Sequence, residues 1–236
     1  MKVLLIYPNV VESHKDISLG LGIISSLLKE KGHKVDLIDT TFKIHKKKIA
    51  NKLKNFNPNL VAITVATNDL YNAINICNFI KSRKPIPIVC GGYHATISPE
   101  DIISQNCFDI VAIGEAERNF VKLVDSIEKR KINYKLKNFW FKKNEKVIKN
   151  KLGNLNENLD SLPFADREIF NYQKYIDSNR GLATFISSKG CPFQCTYCIN
   201  KLLIKKYKGK DSSSNKFKFD WEDGLADLKN FLFTYQ

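Results

Sequence analysis

The chain has 236 residues, 43 % of them hydrophobic, enough to bury an ordinary core and to form one large domain or two small ones. No apolar run reaches membrane-spanning length, and the apolar start at residues 1–7 is cut by Pro8 too soon for a secretion signal, so a cytoplasmic location is expected. The net charge of +14 attracts anionic partners in principle, but it is spread over lysines such as Lys46-Lys47-Lys48 and Lys142-Lys143 with no aromatic-interleaved arginine patch, so nucleic acid is not the expected partner.

Residues 3–7 read as an apolar strand. Residues 19–31 carry Leu21, Ile24, Leu27 and Leu28 at helical spacing, with Gly32 as the stop. A strand at 35–38 and a lysine-rich amphipathic helix at 44–56 follow. Next come a strand at 60–65 and a helix at 69–81, with Ile74, Cys77 and Ile80 three apart. A strand at 86–90 runs into Gly91-Gly92, a short helix occupies 99–105, and a strand at 109–113 runs into Gly114-Glu115. A helix at 117–129 closes the series. Five such alternations imply an α/β doubly wound parallel sheet, flavodoxin-like, in the order 2-1-3-4-5. Segments 138–141 and 146–148 flank a turn and read as a β-hairpin. Residues 151–180 read as a linker rich in Asn, Asp and Pro. Residues 182–188 form an apolar run that reads as a buried strand. Residues 205–218 read as a Lys/Ser-rich loop. Trp221, Leu225, Leu228, Leu232 and Tyr235 place an amphipathic helix at 220–235. The expected organisation is a first domain at 1–130, a hairpin and linker at 131–180, and a further unit at 181–236.

The chemistry-bearing run is Gly190-Cys191-Pro192-Phe193-Gln194-Cys195-Thr196-Tyr197-Cys198. Three thiols at this spacing can converge on one metal centre. A closed zinc site takes four protein ligands, and a cubane cluster takes four thiolates. No histidine or cysteine follows Cys198, so one coordination position is left open. A zinc knuckle recruiting Cys77, Cys90 or Cys107 is a second reading, and a vestigial motif a third. Clustered cysteines in a cytosolic chain read as metal ligands rather than disulfides.

This run resembles the CxxxCxΦC signature of radical S-adenosylmethionine (SAM) enzymes, with Tyr197 as the aromatic residue. The resemblance implies a 4Fe-4S cluster on Cys191, Cys195 and Cys198. It implies that SAM chelates the open iron and is cleaved reductively to a 5′-deoxyadenosyl radical, with the segment at Tyr197 seating its adenine. It also implies that residues 181–236 are the first strand–loop–helix of a (β/α) radical SAM barrel. A full barrel takes about 200–250 residues, so the barrel is expected to be incomplete in this chain, as a fragment or a truncated frame, with packing of the stub on the first domain as a third reading.

In open α/β sheets, ligands bind at the carboxyl ends of the strands. Thr64, the run Gly91-Gly92-Tyr93-His94-Ala95-Thr96 and the run Gly114-Glu115-Ala116-Glu117 fall there. With Leu19-Gly20-Leu21-Gly22, Asn57-Pro58-Asn59-Leu60 and Leu159-Asp160-Ser161-Leu162-Pro163-Phe164, this ordered set resembles the cobalamin-binding domain that precedes the radical barrel in one large class of these enzymes. The resemblance implies that Thr64 bonds the nucleotide tail, that Gly91 and Gly92 line its slot, that Gly114 and Glu115 lie at the corrin or tail edge, and that His94 faces the corrin. Strand-end, turn and helix-start roles stand beside each of these assignments. The segment Glu12-Ser13-His14-Lys15-Asp16-Ile17 departs from Asp-x-His-x-x-Gly, so His14 reads as a loop residue rather than a cobalt ligand. His33 and His45 read as surface residues.

The implied function is a cobalamin-dependent radical SAM enzyme transferring a methyl group to an unactivated carbon of a small-molecule substrate, with a reductant such as flavodoxin or ferredoxin. A cobalamin-binding module with a non-catalytic stub is the alternative, and an RNA-modifying radical enzyme a weaker third.

Overall fold

The computed structural model describes residues 1–10, 15–156, 158–186, 188–191, 193, 195–207 and 218–219. Strands β1 (Lys2–Tyr7), β2 (Lys34–Asp39), β3 (Leu60–Thr64), β4 (Ile88–Gly91) and β5 (Ile110–Ala112) are parallel. Strands β6 (Phe139–Lys143) and β7 (Lys146–Lys149) continue the same sheet antiparallel, giving the order β2-β1-β3-β4-β5-β6-β7. The parallel part has the expected order. The hairpin is therefore an extension of the sheet beside β5. Its two-residue turn, Asn144-Glu145, has φ of 47° and 61°, the left-handed pair that matches the twist of a tight hairpin.

Helices α1 (Leu19–Glu30), α2 (Lys46–Phe56), α3 (Leu70–Lys81), α4 (Tyr93–Ile97), α5 (Pro99–Ser104) and α6 (Glu117–Glu128) cover the two faces. Alternation along β1 sorts its side chains. Val3 and Leu5 join one apolar cluster with α1 and α6, while Leu4 and Ile6 join the other with α2 and α3. Burial on both faces explains why these strands read as continuous apolar runs. Helix α1 starts where the Ser18 hydroxyl accepts from Leu21 N, and it stops before Gly32 at φ +78°.

The expected linker is a strap. Phe170, Tyr172, Tyr175 and Ile176, around α7 (Gln173–Ser178), are buried in the first cluster. The strap crosses α1: Ser26 Oγ donates to Phe164 O at 2.6 Å, Ser25 Oγ donates to Asp166 Oδ2 at 2.5 Å, and Lys29 pairs with Asp166 at 2.6 Å. A Cβ on Gly22 would stand 2.9 Å from the Ala165 Cβ, so the second glycine of Leu19-Gly20-Leu21-Gly22 lets the strap lie close. Farther along, Tyr175 Oη donates to Asp39 Oδ2 at 2.6 Å, next to the end of β2.

Three expectations are corrected. Residues 182–186 are not a buried strand: Leu182 and Ile186 are exposed, and the strand there is the two-residue β8 (Ser188–Lys189), antiparallel to β9 (Lys218–Phe219). The backbone of Thr184 is satisfied by side chains of the strap instead of a ladder. Its N–H donates to Tyr172 Oη at 2.8 Å, and its carbonyl accepts from Arg167 Nη2 at 3.0 Å. Residues 205–207 are not loop but the last turn of α8 (Ile199–Tyr207). His33 is buried, because the N-terminal amine lies 3.1 Å from its Nδ1 and Asp125 Oδ1 lies 3.0 Å from its Nε2. His45 is exposed as expected. His14 and the helix expected at 220–235 lie outside the described residues.

Candidate cofactor site

The carboxyl edge of the sheet is built from three interlocked turns. After β3, Val65 N donates to Gly91 O at 2.8 Å, and Val65 O accepts from His94 N at 3.0 Å. Gly92 has φ +96°, and a Cβ there would meet Val65 N at 2.6 Å and Thr64 Oγ1 at 2.7 Å. Thr64, Gly91 and Gly92 are thus brought together, with Gly92 filled against the backbone of the β3 end. Thr67 Oγ1 lies 3.0 Å from His94 Nδ1. His94 is buried, and its Nε2 has no hydrogen-bond partner among the described residues; the Asp101 carboxylate stands 3.9 Å away. Thr96 joins the next turn: its hydroxyl donates to Gly92 O at 2.9 Å and accepts from Gly114 N at 3.0 Å.

Three large side chains near these turns are exposed, beside the polar Thr67 and Asn68. Val10, Tyr71 and Tyr93 are 47 %, 78 % and 60 % exposed. Each follows a different strand, and Val10 N is tied to Asp69 Oδ1 at 3.2 Å, at the start of α3. Large exposed aromatics at a strand-end crevice suit a flat, mostly apolar ligand. Neither Val10 nor Tyr71 was singled out from the sequence. The available signal was an apolar residue one or two positions beyond each strand-end turn.

The β5 turn is where the cysteine segment meets the sheet. A Cβ on Gly114, at φ +66°, would overlap the Tyr207 hydroxyl and press on Leu152. Glu115 N donates to Tyr207 Oη at 2.9 Å. Burial pushes the Tyr207 phenol up to about 12. The Glu115 carboxylate accepts from Asn156 N at 2.8 Å, and burial holds its pKa above the usual range, against the pull of Lys189. Lys189 Nζ stands 3.0 Å from Glu117 Oε1 and 3.8 Å from Glu115 Oε1. Burial lowers the Lys189 pKa, but Glu117 and Glu115 outweigh it and the net direction is up.

Between Lys189 and α8 lie the free thiols of Cys191, Cys195 and Cys198, with Cys195 exposed and the other two half-buried. Cys198 N donates to Cys195 O at 3.1 Å, closing a turn, and Tyr197 is 90 % exposed. A tetrahedral zinc would draw thiolates to within about 3.8 Å of one another. These three are not among the described groups whose ligand atoms lie within 4.8 Å of one another. Three thiols with a fourth position left open are, as a donor set, compatible with a cubane cluster. Cys77, Cys90 and Cys107 are buried in the second apolar cluster, to which none of the loop cysteines belongs.

The fold and this edge define a doubly wound domain of ligand-carrying type, followed by a three-cysteine segment. Residues 13–124 match the B12 binding domain family. The chain is 30 % identical over 223 residues to the uncharacterized methyltransferase PH0819 of Pyrococcus horikoshii, covering 89 % of this chain and 48 % of that protein. It is 25 % identical over 227 residues to the anaerobic magnesium-protoporphyrin IX monomethyl ester cyclase of Cereibacter sphaeroides, covering 89 % and 37 %. The structure of the radical SAM methyltransferase TsrM from Kitasatospora setae, with cobalamin and a 4Fe-4S cluster bound, superposes with a TM-score of 0.76 at 15 % identity, over 99 % of this chain and 46 % of that one. The chain spans half or less of the length of these relatives. Its residues 13–124 are thus similar to B12-binding domains, and the likeness to TsrM is one of fold. No helix among the described residues is long and apolar enough to cross a membrane.

Proposed function

We propose that this chain is the cofactor-holding half of a cobalamin-dependent radical SAM enzyme, most simply a methyltransferase acting on a small molecule. The observation that carries the reading is the placement of three free thiols on a loop fastened to the ligand-facing edge of a B12-binding domain. Cys191, Cys195 and Cys198 hold a 4Fe-4S cluster, leaving one iron for SAM. Bound there, the cluster supplies the electron that cleaves the SAM sulfonium, and cobalamin supplies the methyl group.

The chain's own residues orient these groups. Val10, Tyr71 and Tyr93 offer an apolar seat for the corrin face. Thr64, Gly91 and Gly92 form the floor of the tail slot, and His94, buried and 3.0 Å from Thr67 Oγ1, braces that turn. Gly114 and Glu115 form the far rim, and Tyr197 sits beside the SAM adenine. The division at 1–130, 131–180 and 181–236 then separates the cobalamin domain, its hairpin and strap, and the start of the radical SAM unit. A flavodoxin or ferredoxin is the reductant in this reading, and a cytoplasmic location follows from its need for low-potential electrons.

The test is anaerobic reconstitution with iron, sulfide and hydroxocobalamin, desalting, and spectroscopy of wild type beside the Cys191→Ala/Cys195→Ala/Cys198→Ala variant. The expected result is a broad iron–sulfur band present only in wild type, corrin bands in both, and a reduced-cluster EPR signal that shifts when SAM is added. Corrin retention without any cluster would leave a carrier module, and loss of both would overturn the reading.

A further inference from the structure

The cysteine segment touches the first sheet at two points, one on each side of the thiols. Lys189, two residues before Cys191, pairs with Glu117 at 3.0 Å and faces Glu115 at 3.8 Å. Tyr207, nine residues after Cys198, accepts from Glu115 N at 2.9 Å and fills the space that Gly114 leaves for lack of a side chain. Both contacts land on the turn at residues 114–117. The same turn is bonded through Thr96 to Gly92, and so to the end of β3. A rigid path therefore runs from the proposed cobalamin edge to both ends of the thiol loop. The nine residues of α8 are too few to hold a helix alone, and its Tyr207 is buried against this turn while Leu202 is half exposed. Docking at Tyr207, together with packing on α4, holds α8 in place.

We propose that Lys189 and Tyr207 are positioning residues that clamp the thiol loop onto the 114–117 turn and thereby set the distance between a cluster on Cys191, Cys195 and Cys198 and a corrin at the sheet edge. What is positioned rests on the proposed function, whereas the clamp itself is a property of the bare chain.

Amide hydrogen exchange of the cofactor-free full chain reads the clamp. Glu117→Gln and Tyr207→Phe are each expected to speed exchange of the α8 amides by about fivefold, the scale of one partly exposed ion pair or hydrogen bond, with β1, β3 and β4 unchanged. Lys189→Met speeds α8 exchange as well, and combining it with Glu117→Gln opens α8 no further than Lys189→Met alone. Unchanged exchange in the single variants, or losses that add in the double variant, overturns the clamp. Positioning is read in the reconstituted protein by the spin–spin interaction between the reduced cluster and cob(II)alamin. Wild type gives one narrow distance distribution, and Tyr207→Phe broadens it. Identical distributions overturn the positioning role. Wild type that takes up no iron or no corrin removes the proposed function instead, and the exchange result still decides the clamp.

Discussion

At the scale of single residues, Gly92 shows why an edge glycine is needed even without a ligand. Its φ of +96° penalises any L side chain, and a Cβ would press on Val65 N and Thr64 Oγ1, atoms fixed by the β3–β4 ladder and unable to retreat. Gly92→Ala is expected to destabilise the fold by about 3 kcal/mol, from backbone strain plus overpacking. Urea unfolding should show a lower midpoint at unchanged slope; a loss below about 0.5 kcal/mol would mean that the turn relaxes freely, as open surface sites do. The Gly-Gly pair was legible in the sequence as a place where backbone comes close. What comes close was not legible, because Thr64 and Val65 lie 27 or more positions away. His33 is the complementary case. Nothing local marks it as buried, since its partners are the chain's first residue and Asp125, 92 positions on.

At the scale of elements, the strap at 164–176 and α8 decide how the thiol loop is presented. Apolar spacing placed α1, α2, α3 and α6, because each shows one apolar face, whereas the five-residue α4 was too short to show one and was not expected. The strap has no period, being held by side-chain bonds such as Ser25 to Asp166, 141 positions apart, so its composition reads as a linker. Helix α8 did leave a trace: Ile199, Leu202, Leu203 and Tyr207 lie at helical spacing, hidden by the lysines around them. The strap's anchor can be measured. Tyr175 Oη donates to Asp39 Oδ2 at 2.6 Å and lies 3.1 Å from Thr41 Oγ1, and burial next to Asp39 pushes its phenol well above the ordinary tyrosine range. Tyr175→Phe keeps the ring packing on Phe42 and Phe170 but leaves Asp39 short of a donor. A stability loss of about 1–2 kcal/mol is expected, with faster proteolysis at residues 177–186 before the sheet unfolds. Equal stability of the variant would show that water replaces the phenol at no cost.

At the scale of the whole molecule, the two halves of the proposed chemistry are held by different physics. The sheet and its helices are stabilised by two apolar clusters filled from both faces, and Cys191, Cys195 and Cys198 belong to neither. This explains why the sheet order could be read from periodicity, whereas the strand expected to span 182–186 could not be sustained: an apolar run is a strand only where neighbours supply a ladder. A structural zinc site would behave differently, because metal binding there is itself folding free energy of about 10 kcal/mol or more. Stripping iron from the reconstituted chain with an anaerobic chelator is therefore expected to abolish the iron–sulfur absorption while leaving the urea midpoint of the sheet within about 0.5 kcal/mol. The contacts of Lys189 and Tyr207 on the 114–117 turn use no cysteine side chain, so protection of α8 should survive as well. A fall of several kcal/mol on chelation would instead mean that the thiols nucleate a core of their own. In that case the cysteine segment would fold around its metal rather than wait, already docked, for it.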